Sequence, residues 1–179
     1  MDLIKKSKEV FENLQLDNGG ILATPKNGAY PYIYPRDAVI ITKAMNRLDM
    51  VDNSKKFYYF MNKNAKMEQY GEIFHRYNEQ GLPFVTRKHE HDNTGLIVHG
   101  IYDTYLCCED ETFLQDMWIL VFKCIKAIDS FMEKGLIETE RSIHEFYRLE
   151  NGYEIWANCA CCRAYYDAAE IAKILSNKK

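Results

Sequence analysis

Apolar residues recur at helical spacing along almost the whole chain, and this periodicity constrains the fold more than any other feature. Val10, Phe11 and Leu14 share one face of a first helix, which the turn residues at 17–20 end. Only short extended pieces are expected, near residues 20–24. The sequence therefore predicts an all-α protein of six or seven helices. Further helices are predicted over residues 35–49, 55–64, 92–105, 113–132 and 158–175.

Composition narrows the classes of function. The chain has 179 residues, of which 47% are hydrophobic, so it can bury a core and fits one domain or a piece of a larger one. Its formal net charge of -3 argues against a nucleic-acid partner, because nucleic-acid binding requires a basic face.

Nothing in the sequence predicts a membrane span or a metal site. No apolar run approaches the ~20 residues that cross a bilayer, and the chain begins as a charged helix without a secretory signal. We therefore expect a cytoplasmic protein whose six cysteines are reduced, mostly as small core residues. The histidines at 89, 91 and 99 have no organised partners, so we predict no metal and no cofactor.

A loop rich in tyrosine and proline leads into the second predicted helix. Pro35 marks the helix start, and Asp37 lies where the helix dipole favours a carboxylate. Tyr30 and Tyr34 lie beside Arg36 and Asp37. Such a group suits a polyhydroxylated ligand, because rings stack on sugar faces while charged groups hydrogen-bond the hydroxyls. The alternative is a helix start with a local ion pair.

Four ordered motifs resemble the glucoamylase-type catalytic domain of glycoside hydrolase family 15. The first is Gly-Ile-Leu-Ala-Thr-Pro at 20–25 followed by Tyr-Ile-Tyr-Pro-Arg-Asp-Ala at 32–38. The resemblance extends over about residues 19–175. The other three motifs are Gln-Tyr-Gly with His-Arg-Tyr at 69–71 and 75–77, Glu-His-Asp-Asn-Thr-Gly-Leu at 90–96, and Ser-Ile-His-Glu-Phe at 142–146.

The resemblance implies an α/α toroid, in which inner helices present their loops at the end that carries the active site. The family's toroid has six helix pairs, and this chain supplies about half of them. We therefore expect residues 1–179 to form a single truncated domain, the N-terminal half of the full barrel.

The resemblance also implies a general acid, Glu145, in the loop at 142–146. His144 stands where the family has tryptophan, and we group it with the substrate-binding residues. A different register would place Glu150 at the acid position, and either glutamate could instead be a solvated loop residue. Inverting hydrolysis needs a second carboxylate about 6.5–9.5 Å from the acid. The segment that would carry this base is missing from the chain.

The remaining family positions imply contacts to the terminal glucose. Arg36 and Asp37 would bind its hydroxyls, and two tyrosines would form its walls. Asp92 would either touch the substrate or only cap its helix, and Asn93 is the other residue expected as that cap. The full set of expected substrate-binding residues is Tyr30, Tyr34, Arg36, Asp37, Arg76, Tyr77, Asp92 and His144.

These observations predict an inverting, exo-acting α-glucoside hydrolase, or the N-terminal half of one that is inactive as an isolated chain. One alternative is a non-catalytic carbohydrate-binding or regulatory half-domain, comparable to the glucoamylase-like portions of phosphorylase kinase regulatory subunits. A helical interaction protein unrelated to sugars is the other. Expected partners are an oligosaccharide or α-glucoside, together with a complementary C-terminal half chain or a second copy.

Overall fold

A computed structural model of the protein describes residues 2–64, 72–84, 90–138 and 152–176. The chain is mostly helical, which confirms the all-α class. A two-stranded antiparallel hairpin, β1 (Met132–Glu133) and β2 (Leu136–Ile137), follows the fifth helix directly. The six helices in the described residues are α1 (Leu3–Leu14), α2 (Pro35–Arg47), α3 (Val51–Asn64), α4 (Asp92–Cys108), α5 (Glu111–Phe131) and α6 (Ile155–Ser176).

Helices α2, α4 and α6 lie side by side, with α4 in the middle. The Arg36 N–H donates to Asn93 Oδ1 where α2 and α4 begin, and Asn46 donates to Asp103 near their other ends. These two helices are therefore parallel. Helix α6 has the same direction, because Trp156 in its first turn donates to Asp92 at the start of α4. All three helices begin at one end of the molecule.

Close packing and a polar chain hold the three parallel helices together. A Cβ added to Gly95 of α4 would lie 2.6 Å from the Ala160 carbonyl oxygen of α6, so the two backbones meet there. One turn further on, His99 Nδ1 lies 2.8 Å from Asp167 Oδ2 on α6, and Lys43 Nζ of α2 lies 3.0 Å from His99 Nε2. One side chain on α4 thus bridges both neighbouring helices.

Helices α3 and α5 form a second layer behind α2, α4 and α6, and α1 packs against α2. Lys55 of α3 pairs with Asp110 at the start of α5, with 2.9 Å between Nζ and Oδ2. Between the layers, the rings of Tyr58 and Phe113 meet edge to face at 6.3 Å, and both are fully buried. The hydrophobic core therefore fills the space between two layers of helices.

Several element bounds differ from those that the sequence predicts. Helix α5 begins at Glu111 rather than 113, because the Asp110 side chain caps it. The extended piece expected at 20–24 is reduced to one bridge, between Gln15 and Ile21. The hairpin after α5 was not predicted. Lys134 and Gly135 both have positive φ, 53° and 82°, as a two-residue type I′ turn requires.

The expectation that the cysteines are mostly core residues is wrong for half of them. Cys124 and Cys161 are buried, and burial raises the pKa of the Cys161 thiol to about 12. Cys107, Cys159 and Cys162 are exposed, since they fall on the outer faces of α4 and α6. None of the helices described has the length and apolar character to cross a membrane.

Candidate functional site

A cavity of about 280 Å³ lies at the end of the molecule where α2 begins. Its wall includes the four residues that the sequence predicts to bind a sugar together, namely Tyr30, Tyr34, Arg36 and Asp37. The loop before α4 and the loop at 72–84 complete its wall. The lining residues are Ala23, Thr24, Tyr30, Tyr34, Arg36, Asp37, His75, Glu90 and Asn93.

The start of α2 is fixed by a side chain from another helix. Pro35 is the first residue of α2, and Tyr34 before it offers no side-chain cap. Asn93 Oδ1 accepts the Arg36 N–H at 3.1 Å, while Asn93 Nδ2 donates to the Glu90 carbonyl oxygen. The expectation that Asp92 or Asn93 would cap α4 is therefore wrong. His91 stands at that N-cap position without a side-chain cap bond, and Asn93 caps α2 instead.

Arg36 is held by two buried carboxylates. Its Nε donates to Asp92 Oδ2 at 2.7 Å and its Nη2 to Asp92 Oδ1 at 3.0 Å, which makes a bidentate pair. The same Nη2 donates to Glu90 Oε2 at 2.7 Å. The Glu90 and Asp92 side chains are only 4% and 2% exposed. Burial alone would lower the pKa of Arg36, but the two carboxylates outweigh burial and raise that pKa above its ordinary value.

Asp92 positions the site rather than lining it. Its Oδ2 accepts a second hydrogen bond, from Trp156 Nε1 at 2.8 Å, in addition to the one from Arg36. Asp92 is 1% exposed and is not part of the cavity wall. The sequence left two roles open for Asp92, a cap on α4 or a contact with the ligand. It does not cap α4, and its place outside the cavity wall does not support a contact with the ligand. The carboxylate joins α2, α4 and α6 at their starts.

Asp37 and the two tyrosines give the cavity its chemistry. Asp37 is exposed and is the third residue of α2, so its carboxylate lies in the positive field of the helix N-terminus. Tyr30 is 60% exposed, and the Tyr34 ring lies edge-on to the His75 ring at 6.3 Å. Together with Arg36, these residues offer aromatic faces, hydrogen-bond donors and a carboxylate acceptor to one small ligand.

The two predicted residues from the 72–84 loop lie outside the cavity wall. Tyr77 is fully buried, and its hydroxyl accepts the Phe74 N–H at 3.0 Å. Its backbone exchanges two hydrogen bonds with Ile33, so it ties the loop to the segment before α2. Burial raises the pKa of Tyr77. The guanidinium of Arg76 lies against the rings of Tyr32 and Phe84.

Glu90, His75 and Trp156 are among the residues of this site that were not predicted from the sequence. Glu90 belongs to the motif at 90–96 and His75 to the motif at 75–77, so these motifs could have identified both residues as part of the site. Trp156 is one of only two tryptophans, but nothing local pointed to Asp92, 64 positions away. The predicted residues His144 and Glu145, and the alternative Glu150, lie outside the described residues. Within the part of the chain that is described, no group of three His, Cys, Asp or Glu could hold a metal ion.

Comparison with known proteins adds no family to this picture. No protein-family model and no curated protein sequence matches the chain. The similarity to glycoside hydrolase family 15 therefore rests on the four short motifs and on their order.

Proposed function

We propose that the chain binds the non-reducing terminal glucose unit of an α-glucoside, as the sugar-binding half of a glucoamylase-like domain. One observation carries this proposal. The cavity at the start of α2 unites Tyr30, Tyr34, Arg36 and Asp37, the residues that the motif at 30–37 assigns to a sugar.

The size and the polarity of the cavity support a ligand of about one sugar ring. Pockets for drug-sized ligands span about 300–1,000 Å³, and the 280 Å³ here lie just below that range. The wall combines two tyrosines with charged and amide groups, the mixture that an alcohol-rich ring requires.

The cavity is also preorganised for binding. Arg36 is fixed by Asp92 and Glu90, and Asn93 fixes the first turn of the helix that carries Arg36 and Asp37. A site whose side chains are already ordered loses less conformational entropy when its ligand binds. Asp92, which lies outside the cavity wall, therefore contributes to affinity without touching the sugar.

The arrangement of helices supports half of an α/α toroid as the architecture. The parallel helices α2, α4 and α6 correspond to an inner layer, of which α2 and α4 begin at the cavity, and α1, α3 and α5 correspond to an outer layer. In a toroid of this type, the ligand lies at the end where the inner helices present their loops. The cavity is at that end.

Hydrolysis is the part of the proposal that rests on the resemblance alone. An inverting glycosidase needs an acid and a base, and Glu145 would supply the acid. A general acid by itself contributes about 100- to 10,000-fold, far less than a complete glycosidase achieves. We therefore expect the isolated chain to bind maltooligosaccharides without hydrolysing them. Binding without hydrolysis even when a complementary half chain is added would favour the non-catalytic alternative.

Calorimetric titration with maltose and maltotriose tests the binding proposal. We expect Asp37→Asn to weaken binding by about 10- to 100-fold, because a hydrogen bond to a charged group is replaced by a neutral one. Asp17→Asn is the matched control, since Asp17 is also exposed and lies in the turn after α1, outside the cavity. Equal affinity in the two variants, or no binding by the wild-type chain, would contradict the proposal.

A further inference from the structure

Arg76 differs from the other arginines in the described part of the chain. Arg36, Arg47 and Arg163 each donate two N–H groups to an aspartate carboxylate, with all six distances between 2.6 and 3.0 Å. The side chain of Arg76 makes no hydrogen bond or ion pair with any described residue, and its Nε is buried without a partner. No carboxylate among the described residues therefore compensates its charge.

Two aromatic rings hold the Arg76 guanidinium in place. Its central carbon lies 4.5 Å from the centre of the Phe84 ring and 5.0 Å from the centre of the Tyr32 ring. The two rings are nearly perpendicular, at 76°, so they form a corner around the cation. Such contacts position a guanidinium, but they use its π-system and leave its N–H groups available.

The backbone keeps this corner rigid. The Phe84 N–H donates to the Arg76 carbonyl oxygen at 3.0 Å, and the neighbouring residues Tyr77 and Ile33 exchange two backbone hydrogen bonds. Tyr32 precedes Ile33 in the chain, so all three side chains of the corner are carried by paired backbone segments. The two rings and the paired backbone therefore fix the position of the cation, with no anion from the described part of the chain to hold it there.

We propose that Arg76 is the anchor of an oxyanion site, which binds a phosphate or carboxylate group through the terminal nitrogens of the guanidinium. A planar guanidinium with free N–H groups matches the two oxygens of such an anion, and charge-assisted pairs of this kind are the strongest hydrogen bonds in proteins. Because Nε is buried, the anion approaches the two Nη atoms end-on. Arg76 is only partly exposed, so the site selects small or protruding oxyanions.

The position of Arg76 suggests two sources for this oxyanion. His75, the preceding residue, lines the cavity next to Tyr34, so a phosphorylated or acidic sugar could place its ring in the cavity and its anionic group at Arg76. A free inorganic oxyanion could instead bind alone. The first source depends on the proposed sugar-binding function, and the second does not.

Calorimetric titrations of the wild-type chain and of Arg76→Met test the proposal at constant ionic strength. The ligands are inorganic phosphate, glucose and glucose 6-phosphate. We expect phosphate binding to weaken at least about tenfold in Arg76→Met, and glucose binding to weaken less, because Arg76 is not part of the cavity wall. Tighter binding of glucose 6-phosphate than of either simpler ligand identifies the joined site, and equal binding of both phosphates identifies an independent one.

The methionine of Arg76→Met keeps an aliphatic stem against Tyr32 and Phe84. Circular dichroism checks that this variant folds. Arg76→Lys provides a second test, because it keeps the charge but loses the fork, and we expect an intermediate affinity. If phosphate and glucose 6-phosphate bind the wild-type chain and both variants equally, or bind none of them, the oxyanion site is refuted. Loss of glucose binding in all three proteins would instead refute the sugar cavity.

Discussion

Replacing Arg36 with methionine should destabilise the fold strongly, because it strands two buried carboxylates. Asp92 and Glu90 are 2% and 4% exposed at their side chains, and Arg36 donates three hydrogen bonds to them at 2.7 to 3.0 Å. Methionine preserves much of the aliphatic stem but none of these donors. The variant therefore isolates the effect of the lost charge.

The three charged hydrogen bonds would suggest a cost of about 4.5–9 kcal/mol if their typical values were added. Addition overestimates the cost, because a stranded carboxylate can bind a proton instead of remaining charged. Breaking a buried pair by removing one partner typically costs about 3–5 kcal/mol. For a chain of this length, 1 kcal/mol corresponds to about 2–4 °C, so we expect the melting temperature to fall by about 6–20 °C.

The pH dependence gives a second check on the same reasoning. A buried carboxylate without a cation is costly only while it is charged, so acid, which neutralises carboxylates, should relieve the deficit of the variant. The stability deficit should therefore be larger at about pH 7.5 than at about pH 5. Urea unfolding followed by circular dichroism at both pH values measures this difference.

A triple variant removes the stranded charges and serves as the control. Arg36→Met combined with Asp92→Asn and Glu90→Gln should regain most of the lost stability, since no buried charge remains. If Arg36→Met alone changed the unfolding free energy by less than about 0.5 kcal/mol at neutral pH, the ion pairs of Arg36 with Asp92 and Glu90 would not stabilise the fold. An equal deficit at both pH values would also refute the reasoning.

Three further substitutions probe other parts of the fold. Asn93→Ala should cost about 1 kcal/mol in urea unfolding through loss of the cap on α2. Gly95→Ala should cost about 1–3 kcal/mol, because its Cβ would overlap the Ala160 carbonyl, which cannot rotate away. Burial alone would raise the pKa of Asp103, but hydrogen bonds, chiefly from Arg47, lower it below its ordinary value. Its contribution is therefore present above about pH 4 and lost as the pH falls through the lowered value, so the stability gap between wild type and Asp103→Asn should close in acid.

Local patterns predicted the features of this protein that depend on neighbouring residues. Helical periodicity located the helices, since one apolar face must meet the core in each of them. The residues of the motif at 30–37 were expected to share a ligand, and four of them do line one cavity, because they are only a few positions apart. The distances between these four side chains depend only on one loop and on the first turn of α2.

Features that depend on distant parts of the chain were not predictable. Asn93 was expected to cap its own helix but caps α2, 57 positions earlier. The bond from Trp156 to Asp92 follows from the parallel packing of α4 and α6, for which the sequence has no local signal. Tyr77 has a side chain that suits a sugar site or a core equally well. Its burial is decided by the pairing with Ile33, which only the tertiary structure reveals.

Chemical-shift mapping with maltotriose tests the central claim most directly, because it locates the sugar on the protein. The sugar is titrated into the isotope-labelled chain, and the amide signals are followed. We predict that the largest shifts fall at Tyr30, Tyr34, Asp37 and His75, and that Asp37→Asn abolishes them at the same sugar concentration. Shifts concentrated away from the start of α2, or none at a large excess of sugar, would contradict the assignment of this cavity to a glucose unit.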